Sequence, residues 1–186
     1  MQWSLVGSEM CIRDSTGDTA LADGKTYAKD DDIIELVGVV DEANCALGAF
    51  VAAAEATSAV DPEMLAHLRY LQSRLFDVGA AIATGAVASP NPWPDEVEAL
   101  TGRIDAANDR LAPLEDFVLP GSNTANAAAH MARATIRRAE RMFWRAAPQD
   151  LAASGIGAFL NRLSDHCFVL SRLVADEEAL WQRRDA

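Results

Sequence analysis

The fold of this chain is decided by the stretch Ser122-Asn-Thr-Ala-Asn-Ala-Ala-Ala-His-Met-Ala-Arg-Ala-Thr-Ile-Arg-Arg-Ala-Glu-Arg-Met-Phe-Trp-Arg-Ala146. Alanine and arginine are strong helix formers, and small polar residues at its start can cap the first turn, so one long helix is expected. Arg133, Arg137 and Arg141 recur at every fourth position and therefore stack along one face, with Glu140 beside them. Such a row suits a polyphosphate, although most arginine-rich helices carry only a solvated, salt-bridged face.

Four further helices are expected around this stretch. Apolar residues recur at steps of three and four, β-branched runs are short, and glycine and proline cluster between the periodic segments. This pattern predicts an all-α chain, folded as one antiparallel bundle domain over residues 16–186. The five predicted helices span residues 32–57, 62–83, 95–111, 122–146 and 157–183.

One carboxylate interrupts the apolar pattern of the first predicted helix. A buried carboxylate is strongly unfavourable unless a cation meets it, so Asp41 implies an arginine partner from elsewhere. Cys45 on the same stripe, like Cys167 on the last helix, is expected to act as a small core residue. The stripe expected to face the core contains Ile34, Val37, Asp41, Cys45, Gly48 and Ala52.

Composition excludes several classes of function. The chain has 186 residues and a formal net charge of -12, which disfavours nucleic acid or an anionic membrane as the main partner. Three cysteines without metal-ligand spacing, and no signal peptide, fit free thiols in the cytoplasm. No segment is expected to span a membrane. A di-metal bundle is excluded because no Glu-x-x-His pair occurs, and no residue is assigned to a metal.

Six short motifs occur along the chain in a distinctive order and spacing. They are Lys29-Asp-Asp31, Gly38-Val-Val-Asp-Glu42, Leu71-Gln-Ser-Arg-Leu-Phe-Asp77, Phe117-Val-Leu-Pro-Gly121, Arg137-Arg-Ala-Glu-Arg141 and Phe159-Leu-Asn-Arg-Leu-Ser-Asp165. In this order they resemble the PduO-type ATP:cob(I)alamin adenosyltransferases. The resemblance implies a five-helix bundle with the up-and-down topology of ferritin-like proteins. It also implies a homotrimer with active sites between subunits.

The chemistry that this resemblance implies is transfer of the 5′-deoxyadenosyl group of ATP to the cobalt of cob(I)alamin, with release of triphosphate. The reduced cobalt is itself the nucleophile, so no catalytic serine, cysteine or histidine is needed. The chain would have to position ATP and stabilise the leaving triphosphate, together with Mg²⁺. It would also have to keep the cobalt of cobalamin reducible and four-coordinate.

The family's site residues carry over to this chain position by position. By this resemblance Arg137, Asp41 and Arg133 are catalytic residues. Asp41 and Arg133 form an ion pair between subunits, which would supply the partner that Asp41 needs. Phe117 matches the residue that excludes the lower axial ligand of cobalamin, and Phe168 is a further candidate for that pocket. The implied ATP contacts are Thr19, Lys29, Arg137, Arg138, Glu140, Arg141 and Asn161.

The first residues of the chain depart from the family's pattern. In register with the motifs, the family's phosphate loop Thr-Gly-Asp-x-Gly-x-Thr ends at Thr19, but its first three positions hold Arg13, Asp14 and Ser15. We therefore expect residues 1–15 to be a non-native or disordered leader, with a divergent natural start as the other interpretation. The altered loop leaves an alternative function open: a non-catalytic bundle that binds a nucleotide or a corrinoid.

Overall fold

The computed structural model describes residues 17–57 and 60–182, so the expectation for residues 1–15 lies outside the described residues. The fold is mostly helical. The small sheet at its start was missed by the all-α prediction, which holds for the rest of the described fold. The elements are β1 (Asp18–Ala20), β2 (Thr26–Ala28), α1 (Asp32–Glu55), α2 (Pro62–Thr84), α3 (Trp93–Asn108), α4 (Thr124–Ala146), α5 (Gln149–Ala152) and α6 (Ile156–Leu173).

Local sequence explains where the long helices begin. The side chain of Asp31 accepts a hydrogen bond of 3.0 Å from a backbone N–H in the first turn of α1. Asp61 does the same for α2 at 2.7 Å, and Asn123 for α4 at 2.8 Å. These N–H groups have no partner inside their helices, so each cap is worth about 1 kcal/mol.

The long helices pack around one hydrophobic core. α1 lies against α2 and α4, and α6 lies against α4 and α3. Phe50, Phe143 and Phe159, from α1, α4 and α6, are among the largest fully buried side chains. Small residues on α4, such as Ala125 and Ala129, are also fully buried and let the neighbouring backbones approach closely. The arginine row on α4, defined as Arg133, Arg137 and Arg141, is therefore carried by a helix with two packed neighbours.

The buried face of α1 differs from the predicted one. Leu36, Leu47 and Phe50 are completely buried, whereas Asp41 and Cys45 are exposed. The prediction that Cys45 is a core residue is therefore wrong, and the corresponding prediction for Cys167, which is fully buried, is confirmed. The reason is that α1 is apolar on two sides, so periodicity alone could not choose between them.

The apolar character of α1 has a second consequence. By length and composition alone α1 could cross a membrane, which the sequence reading did not anticipate. Part of its surface is buried against α2 and α4, as in the core helix of a globular bundle. Its other side, which includes Ile34, Val37 and Gly48, is only half-buried in the single chain.

The last long helix ends earlier than expected. α6 stops at Leu173, whereas the periodic pattern predicted a helix to about residue 183. Residues beyond it run back beside the loop before α4, where the Leu119 N–H donates to the Ala179 carbonyl at 2.8 Å. The Trp181 N–H likewise donates to the Phe117 carbonyl at 2.7 Å. These backbone bonds compete with continuation of the helix, and no local stop signal announces them.

The hairpin of β1 and β2 is antiparallel, with Thr19 opposite Tyr27. Its turn is fixed internally by the Tyr27 hydroxyl, which donates to Asp23 at 2.7 Å. The turn is also docked on the end of α2, because the Asp23 N–H donates to the Ala83 carbonyl at 2.9 Å. A two-stranded hairpin is marginal alone, so this docking helps to hold the segment that leads into α1.

Candidate functional site

The arginine row makes no ion pair within residues 17–57 and 60–182. Arg137 and Arg141 are exposed and make no hydrogen bond or ion pair within residues 17–57 and 60–182. Arg133 is half-buried, and its Nε is buried without a partner in this part of the chain. Guanidinium groups that stand side by side without counter-charges form a strong local attraction for an anion on an otherwise acidic protein.

Arg138 is oriented differently from the row. Its guanidinium points to α1, where it pairs with Glu42 and lies 3.5 Å from the carboxylate of Glu35. All three side chains are partly exposed, so these pairs contribute little to stability. The contacts nevertheless occupy a residue that the sequence analysis assigned to ATP.

Glu140 and Asn161 are brought together by the packing of α4 on α6. The amide of Asn161 donates to Glu140 at 3.1 Å and accepts from Arg162 at 2.8 Å. Arg162 in turn pairs with Asp165 at 2.7 Å. The two predicted contacts, separated by 21 residues in sequence, thus form one hydrogen-bonded group in which Glu140 fixes the orientation of the Asn161 amide.

An exposed tryptophan lies close to this group, and the sequence analysis gave it no role. Trp144 is 55% exposed and follows Arg141 by one helical turn. Its ring lies so close to Gly157, at the start of α6, that an added Cβ there would collide with it. The signal in the sequence was the spacing of Arg137, Arg141 and Trp144, which places all three on one side of α4.

The hairpin residues are placed at the approach to α1. Thr19 is half-buried in β1, and Lys29 is exposed just after β2. The Lys29 N–H donates to the Gly17 carbonyl at 2.8 Å, which closes the base of the hairpin. The remainder of the expected phosphate loop, Arg13 to Ser15, lies outside the described residues.

Asp41 and Arg133 are not paired with each other in the single chain. The carboxylate of Asp41 is exposed and makes no hydrogen bond or ion pair with the residues that the structure describes. Arg133 lies near His130 and Cys167, where its positive charge opposes protonation of the imidazole and favours the thiolate. Asp41 and Arg133 therefore form no ion pair with each other inside one protomer.

Phe117 lies on an exposed apolar surface. Its side chain is 77% exposed and meets Trp181 edge to face, with ring centroids 6.3 Å apart. Leu119 and Leu180 add further exposed apolar area, at 46% and 38%. Exposed aromatic and aliphatic groups in contact are a common sign of a binding surface. We refer to these four residues as the Phe117 surface.

Arg172 fixes the C-terminal half of the Phe117 surface. It donates to Glu178 at 2.5 Å and 3.0 Å, and to the Ala112 carbonyl at 2.8 Å. The hydrogen bonds from Arg172 hold the pKa of Glu178 below its usual range. Arg172 is 7% exposed, so its bidentate pair with Glu178 is shielded from water. Together with the bond to Ala112, it anchors the segment after α6 and the loop before α4 to α6. Sequence reasoning missed it, since Arg172 and Glu178 were both placed on one continuous helix.

Phe168 occupies a different setting from Phe117. It is half-buried on α6 and contacts His130 edge to face, with centroids 6.2 Å apart. Burial lowers the pKa of His130. The structure records no contact between Phe168 and Phe117, so the two predicted cobalamin contacts are not joined directly.

The described residues do not resemble a nucleophilic or metal-based active site. Burial raises the pKa of the Cys167 thiol to about 12, so it stays protonated and inert at neutral pH. Within residues 17–57 and 60–182, no three His, Cys, Asp or Glu side chains are grouped to hold a metal. What the surface does offer is unpaired guanidinium groups beside a fixed amide, and an exposed apolar face. Such a surface suits an anion and a large planar ligand.

Comparison with known proteins places this geometry in a family. The family model described as cobalamin adenosyltransferase matches residues 12–174. A corrinoid adenosyltransferase of Mycobacterium tuberculosis (strain ATCC 25618 / H37Rv) is 38% identical over 176 residues, covering 89% of this chain and 88% of the relative. The corrinoid adenosyltransferase MMAB of Homo sapiens is 30% identical over 188 residues, covering 94% and 74%.

Solved structures give the same result. A variant PduO-type ATP:corrinoid adenosyltransferase from Lactobacillus reuteri, complexed with cobalamin and ATP, superimposes with a TM-score of 0.76. It is 25% identical, and the match covers 90% of this chain and 95% of that one. A second variant of that enzyme, complexed with ATP, matches with a TM-score of 0.72. On the family model and the sequence relatives together, this chain belongs to the cobalamin adenosyltransferase family.

Proposed function

We propose that this chain transfers the 5′-deoxyadenosyl group of ATP to the cobalt of reduced cobalamin, giving adenosylcobalamin and triphosphate. The observation that carries the proposal is the pair of unpaired, exposed guanidinium groups of Arg137 and Arg141 beside the Glu140–Asn161 hydrogen bond. A polyphosphate with an attached nucleoside complements this arrangement, and membership of the family supports the reaction class.

In the proposed reaction the cobalt electron pair forms the bond to the 5′-carbon, and the bond from that carbon to the triphosphate oxygen breaks. No proton has to move, which agrees with the inert Cys167 thiol. Arg137 and Arg141 hold the triphosphate, and they stabilise the charge that develops on it as it leaves. Thr19 and Lys29 bind the phosphates from the hairpin side. Asn161, oriented by Glu140, contacts the nucleoside.

Arg138 differs from the other members of this set, because its guanidinium is shared between Glu35 and Glu42. We assign it only a long-range charge contribution to ATP binding. Mg²⁺ fits as a partner of the phosphates. Mg²⁺ commonly keeps several waters and binds substrate phosphates, and it needs no dedicated protein cage.

Phe117 covers one face of the corrin in this proposal. The Phe117 ring is 77% exposed, so it adds little to the hydrophobic core. It can exclude a lower axial ligand from cobalt. A cobalt without that ligand is four-coordinate and easier to reduce. Phe168 is a further proposed contact of the corrin, although it packs against His130 and not against Phe117.

We further propose that the functional unit is a homotrimer of five-helix, up-and-down bundles, with each active site between subunits. The half-buried apolar side of α1 supports this, and so do Asp41 and Arg133, which have no partner among residues 17–57 and 60–182. Asp41 of one protomer pairs with Arg133 of its neighbour. The net charge of -12 supports a protein without a nucleic-acid or anionic-membrane partner. Three cysteines without metal-ligand spacing support a cytoplasmic location.

The test is anaerobic adenosylation of chemically reduced cobalamin with ATP and Mg²⁺, followed by the change in corrin absorbance as the cobalt–carbon bond forms. Arg137→Ala should lower the rate at least about 30-fold, since losing one desolvated charge partner costs about 2–5 kcal/mol. Arg145→Ala is the matched control, because Arg145 lies on the same helix but pairs with Asp32 at 2.9 Å. Equal rates in the two variants would overturn the assignment.

The same assay separates the alternative function. A wild-type protein that binds ATP or cobalamin in equilibrium titration, yet shows no adenosylation in a single turnover, would be a non-catalytic binding bundle. The reason for this alternative is that residues Arg13 to Ser15 depart from the family's phosphate loop.

A further inference from the structure

A cavity lies between α2, α3 and α6. It has a volume of about 280 Å³, and none of the residues assigned above to ATP or cobalamin lines it. Long side chains join α2 to α3. Arg103 and Glu63, which both line the cavity, lie 3.6 Å apart, and Arg74 lies 3.6 Å from Glu96.

The floor of this cavity is polar. His67 and His166, here called the histidine pair, both line it, with ring centroids 5.3 Å apart. His166 is only 3% exposed, and neither of its ring nitrogens has a hydrogen-bond partner among residues 17–57 and 60–182. Nε2 of His67 is equally unpartnered there. A buried polar group left unpaired costs about 1–3 kcal/mol, so these nitrogens call for a polar occupant.

Both imidazoles are neutral at physiological pH. Burial, with the positive charge of Arg103, lowers the pKa of His67 to about 4. Burial, with the neighbouring His67 and Arg103, lowers the pKa of His166 to about 3. A neutral imidazole has one N–H donor and one acceptor nitrogen. The histidine pair can therefore both donate to and accept from a hydroxyl or carbonyl group. The nearby positive charge of Arg103 disfavours a metal cation.

The rim of the cavity carries charges of both signs. Glu63 lies 3.6 Å from Arg103, and the carboxylate of Asp61 caps α2 by accepting the Met64 N–H at 2.7 Å. Arg110 also lines the cavity, and its guanidinium has no hydrogen bond or ion pair in the part of the chain that the structure describes. An unpaired guanidinium favours an anionic group beside it.

Between floor and rim the wall is apolar, formed by Met64, Ala107, Leu170 and Leu173. A cavity of about 150 Å³ is known to hold one benzene ring, so this one has room for a ring with a short chain. We propose that it is a binding site for a small carboxylate whose apolar body ends in a hydroxyl or carbonyl group. The carboxylate lies against Arg110, and the polar end meets the histidine pair.

The experiment is calorimetric titration of the whole chain with three matched probes. 3-(4-Hydroxyphenyl)propionate has all three features, 3-phenylpropionate lacks the hydroxyl, and 3-(4-hydroxyphenyl)propanamide lacks the charge. The first should bind at millimolar concentration or tighter, and each of the others at least about tenfold more weakly. Failure of the first probe to bind, or equal binding of all three, would overturn the proposal.

Two variants locate the binding. Arg110→Gln changes an exposed side chain and should remove the preference for the carboxylate over the amide, while Arg69→Gln, on an α2 arginine outside the cavity, should leave it unchanged. His166→Phe should remove the preference for 3-(4-hydroxyphenyl)propionate over 3-phenylpropionate, because phenylalanine has no ring nitrogen to bond the hydroxyl. Undiminished binding in Arg110→Gln would place the probe elsewhere. Binding of Zn²⁺ that depends on His166, with no binding of the probes, would replace this proposal with a metal site.

Discussion

The arginine row on α4 and the histidine pair between α2 and α6 both hold polar groups without partners, at opposite extremes of exposure. Arg137 and Arg141 stand in solvent, where water satisfies their charge and the fold loses nothing by leaving them free. His166 is buried, so its unpaired nitrogens are a cost to stability unless something occupies the cavity. The exposed guanidinium groups can therefore bind a ligand without lowering the free energy of unfolding of the free chain. The buried histidine nitrogens make that free energy depend on pH and on whether the cavity is occupied.

The largest expected effect tests the exposed half of this comparison. Arg141→Ala should reduce ATP-dependent adenosylation at least about 30-fold, because bound triphosphate takes the guanidinium out of water and losing such a charge partner costs roughly 2–5 kcal/mol. The unfolding free energy should be nearly unchanged, because the side chain is exposed in the free chain. Arg138→Ala, on the same helix, should affect the rate much less, since Arg138 pairs with Glu35 and Glu42. Steady-state kinetics and urea unfolding of both variants decide this, and a larger kinetic loss in Arg138→Ala would reverse the two roles.

The buried half is tested by pH. The unfolded chain binds protons at its histidines below pH 6.5. In the folded chain His166 stays unprotonated to a much lower pH, because its pKa is about 3. Stability is therefore full above pH 6.5 and falls as pH decreases toward 3. His166 alone should lower the free energy of unfolding by about 2 kcal/mol between pH 7 and pH 5.

Urea unfolding at both pH values measures this loss. The wild-type protein and His166→Phe should differ in their pH dependence, because phenylalanine cannot bind the proton. His67→Phe gives a second, smaller comparison at a half-buried site. Identical pH dependence in all three proteins would mean that the histidine pair is not buried and neutral in solution.

A smaller effect concerns the interface proposed for α1. Asp41→Asn removes a charge that has no partner inside one protomer, so it should weaken the trimer and lower activity about tenfold without destabilising the bundle. Glu98→Gln, an exposed carboxylate on α3, is the matched control. Sedimentation velocity and turnover report the outcome, and an unchanged trimer in Asp41→Asn would show that this carboxylate is only solvated.

The smallest expected effect concerns residues 1–15, which we propose to be a leader outside the domain. Replacing Arg13→Thr, Asp14→Gly and Ser15→Asp restores the family's phosphate loop and removes a negative charge at Asp14. It should lower the Michaelis constant for ATP several-fold and leave that for the corrinoid unchanged, because the Phe117 surface is untouched. Kinetics that do not change would support a natural, functional terminus instead.

Several features could be predicted because their causes are local. The starts of α2 and α4 follow from Asp61 and Asn123, whose side chains bind the first-turn N–H groups wherever the helix later packs. The fourfold spacing of Arg133, Arg137 and Arg141 likewise fixes them on one face of any helix. The resemblance of six short motifs then gave the family, which the comparisons confirm.

Other features could not be predicted, because distant parts of the chain decide them. The end of α6 depends on backbone bonds between Trp181 and Phe117, which no nearby glycine or proline signals. The role of Arg138 depends on carboxylates of α1 more than ninety residues away in sequence. The cavity at His166 depends on the separation between α2 and α3. Each is a property of packing, which periodicity does not encode.

By itself, the sequence determined that this protein is helical, where most helices begin, and which arginines share a face, because capping and helical spacing act over a few residues. The tertiary structure decided which side of α1 is buried, since Leu47 and Asp41 lie on two faces that are both rich in apolar residues and only α2 and α4 choose between them. It also decided which polar groups remain unpaired. Partners such as Glu140 and Asn161 meet only when α4 packs on α6, so the chemistry available at a surface is fixed by contacts distant in sequence.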